Sequence, residues 1–160
     1  MAAIGDVDEA NSAIGVALLH VAGAQHRAML ATIQNEMFDL GADLATPGED
    51  FTPSEMVLRI TAEQVDRLER EIDAMNAELE PLRSFILPGG EGGAAHLHLA
   101  RAAVRRAERA AVAAAATVAL NPQALAYINR LSDHLFVLAR VVAKGAGGDI
   151  LWQPGATRNG

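Results

Sequence analysis

An all-α bundle of five helices is the fold class this sequence predicts, and three observations predict it. The composition is 51% apolar yet only 4% aromatic, and alanine supplies much of the apolar share, which favours closely packed helices over sheets. Apolar residues recur at helical spacing in successive segments. Helix-breaking residues separate those segments, at Gly23, at Pro47 and Gly48, at Pro81, from Pro88 to Gly93, and at Asn121 and Pro122. At 160 residues the chain can bury a core without disulfide or metal staples. We therefore expect residues 1–160 to form one helical domain, with about 6–143 as the bundle and 144–160 as a tail.

The first helix is expected from about Asp6, because Asp6, Asp8 and Glu9 crowd a first turn where the helix dipole favours negative charge. Gly23 is its natural stop. A second helix, from about Ala24 to Leu44, carries Met29, Leu30, Ile33, Met37, Leu40 and Leu44 at helical spacing. Pro47, Gly48 and Pro53 then make a loop. Thr61 to Gln64 matches a capping box, and Val65, Leu68, Ile72, Met75 and Leu79 form the stripe of a third helix closed by Pro81. The stretch Leu82 to Gly93 cannot be regular, since Pro88 is followed by Gly89, Gly90, Gly92 and Gly93, yet it holds the apolar run Phe85, Ile86, Leu87. A fourth helix is expected from about Ala94 to Leu120. Asn121 then caps a fifth, with Pro122 at its first position, reaching about Ala143. In the tail, Ile150, Leu151 and Trp152 form an apolar patch expected to dock on the bundle before the end frays.

Charge and residue usage exclude several function classes. A net charge of −7 and a single lysine, Lys144, argue against a general nucleic-acid-binding surface. The lack of cysteine excludes thiol catalysis, disulfides and cysteine-based zinc sites, and fits a reducing cytosol. The acidic start has no basic flank and apolar core of a signal peptide. The longest alanine-rich run, Ala110 to Leu120, is short of the roughly 20 residues a membrane span needs, so a soluble, cytoplasmic protein is expected. His20, His26, His96, His98 and His134 show no His-x-x-x-His or Glu-x-x-His spacing, which argues against a histidine-held metal.

The segment with most chemical content is the fourth helix, where Arg101, Arg105, Arg106, Glu108 and Arg109 interrupt a run of alanines. At 100° per residue Arg101, Arg105 and Glu108 form one polar stripe, and Arg106 and Arg109 a neighbouring one. Spacing leaves two readings open. Either Arg105 and Glu108 pair at i, i+3 on a solvated face, worth a few tenths of a kcal/mol, or the stripe serves a functional site. On the fifth helix Asn129, Asp133, Phe136 and Arg140 share a face. There, either Arg130 and Asp133 pair on the surface while Phe136 packs inward, or Asn129 hydrogen-bonds a ligand. On the first helix Asp8, Ser12 and Gly15 line up, and Gly15 permits close approach of a helix or ligand. The Phe85 loop lacks the Gly-x-x-x-x-Gly-Lys-Ser/Thr pattern of a phosphate loop. Its glycines either shape an apolar lip, or Phe85 pins a long connection to the bundle.

Six segments in order, GDVDEANSAIG, FDLGADLATP, RSFILPGG, ARAAVRRAER, YINRLSDHLFVLAR and LWQPG, resemble the PduO-type ATP:cob(I)alamin adenosyltransferases, or corrinoid adenosyltransferases, over nearly the whole chain. The resemblance implies a ferritin-like, up-and-down five-helix bundle assembled as a homotrimer, with sites between adjacent subunits. It implies ATP and cobalamin as substrates, Mg2+ on the phosphates, and attack of reduced cobalt on the ribose C5′ to give adenosylcobalamin and triphosphate. It also implies that Arg105, Arg106, Glu108, Arg109 and Asn129 surround ATP, and that Asp8 and Arg101 form a pair joining subunits across the site. Phe85 matches the residue at the lower face of the corrin, where displacing the axial ligand makes four-coordinate cobalt easier to reduce. A reductase and an adenosylcobalamin-dependent enzyme are the implied partners.

Members of that family carry a Thr-Arg-Thr-Gly-type nucleotide loop and a nearby lysine ahead of the GDVDE-like segment, and this chain starts after them. The expectation is a truncated sequence, a shortened paralogue, or a domain completed by another segment, with truncation favoured. ATP binding would then lack several charged hydrogen bonds of about 1.5–3 kcal/mol each. The alternative functions are a corrinoid-binding escort without efficient adenosyl transfer, and a helical bundle whose charged stripe serves only solubility.

Overall fold

The computed structural model, which describes residues 1–159, is an all-α bundle of α1 (Ala2–Leu18), α2 (Ala24–Leu44), α3 (Ala62–Asn76), α4 (Ala94–Ala115) and α5 (Pro122–Lys144). Spatial order departs from chain order: α4 packs against both α1 and α5, α1 also packs on α2, and α3 covers α5. The two helices that carry the polar stripes, α4 and α5, are thus direct neighbours. Ala10 and Ala17 of α1 and Ala100, Ala107 and Ala111 of α4 are all buried, and such small side chains allow close helix approach. Large side chains fill the rest of the core, among them Ile14, Leu30, Leu40, Leu68, Leu97, Tyr127 and Leu131. Each such leucine or isoleucine contributes about 1.5–3 kcal/mol by its burial.

Several expected boundaries move, each for a local reason. α1 begins at Ala2 rather than near Asp6, because Ala2, Ala3 and Ile4 favour helix and Ala3 and Val7 are buried. It ends at Leu18, ahead of the turn that leads to Gly23. α3 stops at Asn76, with only turns between it and Pro81. α4 stops at Ala115, five residues before Leu120, because the chain after it tightens into a turn and Ala119 Oxygen accepts from Gly48 N at 3.0 Å. α2 and α5 match their expected spans closely, and the expected caps form. Thr61 and Gln64 make a reciprocal capping box, and Asn121 Oδ1 accepts from Gln123 N at 3.0 Å. Gly15 does permit close approach: a Cβ there would lie 3.0 Å from Gln34 Nε2 of α2.

Two buried polar clusters fix how the helices meet. Asp43 accepts from Arg59 Nη1 at 2.7 Å, Ile60 N at 2.8 Å and Asn121 Nδ2 at 2.7 Å, tying α2, the loop before α3 and the cap of α5. Removing the Asp43 carboxylate would leave Arg59 buried without its counter-charge, a loss of about 3–5 kcal/mol. In the second cluster Glu36 accepts from the Arg67 guanidinium and from Tyr127 Oη at 2.8 Å. Glu71 extends it, lying 2.9 Å from His134 Nε2. Burial, and then the Glu36 charge, push the Tyr127 phenol well above its ordinary pKa, so it stays a donor.

Candidate functional site

The packing of α4 on α5 places Glu108 opposite Asn129, whose Nδ2 donates to Glu108 Oε2 at 2.7 Å. Asn129 Oδ1 in turn accepts from Arg130 Nη2 at 2.6 Å, and Arg130 also pairs with Asp133 at 2.6 Å. Of the pairings that spacing left open, the Arg130–Asp133 surface pair forms, but the Arg105–Glu108 pair does not, because Asn129 holds the carboxylate. Arg105 and Arg109 are exposed on the same helix and neither has an ion-pair or hydrogen-bond partner among the described residues. Arg106 differs from both. It pairs with Glu9 and lies 3.5 Å from Asp6 on α1, and that contact lowers the Glu9 pKa and raises that of Arg106.

One turn earlier, the Arg101 guanidinium stacks over the Phe136 ring of α5, 5.1 Å from its centroid. His98 meets the same ring edge-on at 6.1 Å. Arg101 Nε is buried with no hydrogen-bond partner, so this arginine is held by packing and cation–π attraction rather than by an ion pair. Burial, and then the positive charge of Arg101, hold the His98 imidazole below its ordinary pKa. Asp8 is not joined to Arg101 within the subunit. It stands exposed at a groove of about 480 Å3 between α1 and α2, beside Ile4, Met37 and Phe38, and Phe38 is 72% exposed.

Phe85 lies away from these charges, in the connection between α3 and α4. It is 76% exposed, so it does not pin the loop to the core. The loop is paired instead with the tail: Leu87 N donates to Ile150 Oxygen and Trp152 N to Phe85 Oxygen, both at 2.8 Å. Ile86 and Leu151 form an antiparallel bridge. The Phe85 and Trp152 rings meet edge to face at 5.8 Å. The tail patch therefore docks on the apolar loop, not on the bundle, and Leu82, Phe85, Leu87, Ile150, Leu151 and Trp152 leave one exposed apolar lip. Glycine is required where this loop meets the bundle. Gly92 and Gly93 have φ of +69° and +93°, and a Cβ on either would come within 2.9 Å of Val142 Oxygen or the Val21 side chain.

The structure thus joins Glu108 to Asn129 and sets Arg105 and Arg109 beside them, with half-buried Arg101 one turn away on the same helix, while Asp8 and Phe85 occupy separate parts of the surface. Sequence reasoning missed Asp6 and Glu9 as partners of Arg106, Phe136 as the support of Arg101, and Trp152 as the partner of Phe85. The first was open to discovery, since an acidic first helix and a basic fourth are complementary; the other two depend on helix packing and tail path. Among the described residues no helix is long and apolar enough to cross a membrane, and no cluster of three or more His, Asp or Glu could hold a metal ion by itself.

A family model described as cobalamin adenosyltransferase matches residues 1–142. The chain is 48% identical to a corrinoid adenosyltransferase of Mycobacterium tuberculosis, over 99% of this chain and 82% of that protein. It is 43% identical to the corrinoid adenosyltransferase of Bacillus subtilis, over 95% of this chain and 79% of that protein. Among solved structures, a variant PduO-type ATP:corrinoid adenosyltransferase from Lactobacillus reuteri, complexed with cobalamin and ATP, superposes with a TM-score of 0.82 at 36% identity, covering 95% of this chain and 84% of that one. Five helices in the same arrangement, with the match running through the α1, α4 and α5 segments that build the charged cluster, place the chain in the PduO-type cobalamin adenosyltransferase family.

Proposed function

We propose that this protein transfers the 5′-deoxyadenosyl group of ATP to the cobalt of reduced cobalamin. The Co–C5′ bond forms as the C5′–O bond breaks, and triphosphate leaves with the electron pair of that bond. The observation that carries the reading is the pair of exposed guanidinium groups, Arg105 and Arg109, flanking the Glu108–Asn129 hydrogen bond in a chain of family members that act on ATP and corrinoid. Fixed positive charge there suits a leaving group on which negative charge develops, and guanidinium forks match phosphate oxygens. Arg106 belongs to the same ATP-facing set in this reading, with its charge already balanced by Asp6 and Glu9. Asn129 would donate or accept at the nucleotide.

Magnesium fits as an ion carried by the nucleotide. Mg2+ usually takes one or two carboxylates plus phosphates and water, and Glu108 is the carboxylate set among the arginines, so it would hold the hydrated ion, which neutralises phosphate charge. Phe85, exposed on its lip, would cover the lower face of the corrin and keep an axial donor away from cobalt. Asp8 and Arg101, apart in one subunit, would pair across neighbouring subunits of a homotrimer. The exposed Phe38 beside Asp8 gives that interface apolar area to cover. A reductase would supply the electrons and an adenosylcobalamin-dependent enzyme would receive the product, in the cytoplasm.

The test is turnover of reduced cobalamin with Mg-ATP, followed by the light-sensitive absorbance of adenosylcobalamin. Product formation is expected. Tight corrinoid binding with no product would support the escort function instead. A melting temperature unmoved by Mg-ATP at about 100 times a micromolar Kd, where about 2.7 kcal/mol is expected, would support a nucleotide-free role.

A further inference from the structure

We infer that Trp152 is a positioning residue for Phe85, and that the tail holds the apolar loop in the shape it presents to the corrin. The inference rests on the reading of Phe85 given above. The hydrogen bond inside the loop, from Gly89 N to the Leu87 carbonyl at 2.8 Å, lies beyond Phe85, which is 76% exposed and outside the core. Order at Phe85 comes from outside, through the two backbone hydrogen bonds to the tail, and from Ser84 Oγ, which donates to Trp152 Oxygen at 2.9 Å. The Trp152 ring then limits where the Phe85 ring can turn, at 63° between planes.

Both strands of this small ribbon are rooted on one side chain. Arg140, 9% exposed, donates from Nε to Asp149 Oδ2 at 3.1 Å and from Nη2 to Glu80 Oxygen at 2.9 Å. Asp149 immediately precedes the tail strand, and Glu80 stands just ahead of the loop. One guanidinium on α5 therefore sets the separation of two segments far apart in sequence, and the ribbon carries that setting out to Phe85. The Trp152 ring lies outside the buried core and is 45% exposed, so its main contact is with the lip rather than with the bundle.

Trp152 is the only tryptophan, so its emission reports the contact directly. Without corrin, Phe85→Ala is expected to shift that emission; an unchanged spectrum would overturn the contact. With cob(II)alamin and Mg-ATP, electron paramagnetic resonance distinguishes four-coordinate cobalt from cobalt that keeps an axial nitrogen. Trp152→Ala is expected to lower the four-coordinate fraction, and to lower kcat by up to about 100-fold, the scale of a 1 Å misplacement near a reacting centre. The Mg-ATP melting shift should stay as in the unmodified protein, and Trp152→Phe should restore most of the signal. A four-coordinate fraction undiminished in Trp152→Ala, but lost in Phe85→Ala, would overturn the inference alone. A fraction undiminished in Phe85→Ala would overturn the reading of Phe85 and the inference with it.

Discussion

Arg105 and Arg106 are adjacent in the chain and have opposite surroundings. The 100° turn between them aims Arg106 at Asp6 and Glu9 of α1, while Arg105 extends into solvent with its charge unmatched. A guanidinium without a carboxylate partner keeps its full attraction for phosphate, whereas one already paired must give up protein contacts to gain ligand contacts. Arg105→Ala should therefore lower kcat/KM for ATP by about 10- to 100-fold, the worth of one charged hydrogen bond, with circular dichroism unchanged. Arg106→Ala should cost less in kcat/KM. Equal losses in steady-state kinetics would mean that the α1 carboxylates release Arg106 when the nucleotide binds.

The contact between α4 and α5 does more than bury apolar area. It lays Phe136 between His98 and Arg101, so an aromatic ring on one helix aligns a charge on the other. Burial and the Arg101 charge lower the His98 pKa from its ordinary 6.5. Between the folded and ordinary values the unfolded chain binds more protons than the folded one, so stability falls as pH drops through the ordinary value and levels off below the folded pKa. His98→Phe should lose less stability over that range, measured by urea unfolding at each pH. A parallel loss in both proteins would assign the acid sensitivity to groups elsewhere.

Over the whole molecule, three features of the surface stand apart: the charged Arg105–Arg109 face, the apolar Phe85–Trp152 lip, and the largely apolar α1–α2 groove with Asp8 as its one charged residue. Assembly into a homotrimer would bring Asp8 of one copy to Arg101 of the next. Asp8→Arg should then weaken the assembly, and the double exchange Asp8→Arg with Arg101→Asp should restore it, as judged by light scattering over a dilution series. Failure of the double variant to recover, with both single variants dissociated, would place the two residues in different contacts.

The sequence by itself determined the helical class, the two working caps at Thr61 and Asn121, and the residues of the α4 stripe, because helix period, capping chemistry and proline placement act within a few residues of each other. It also carried the six segments that identify the family. Boundaries are less legible: α1 starts earlier and α4 ends earlier than local sequence signals indicate, because burial and a loop hydrogen bond decide how far these helices run. Only the tertiary structure decided that Glu108 pairs with Asn129 instead of Arg105, that Arg106 faces α1, that Arg101 rests on Phe136, and that Trp152 holds the Phe85 loop. Each of these joins residues on different elements, and periodicity shows which face a side chain occupies but not which other helix or tail is packed against that face.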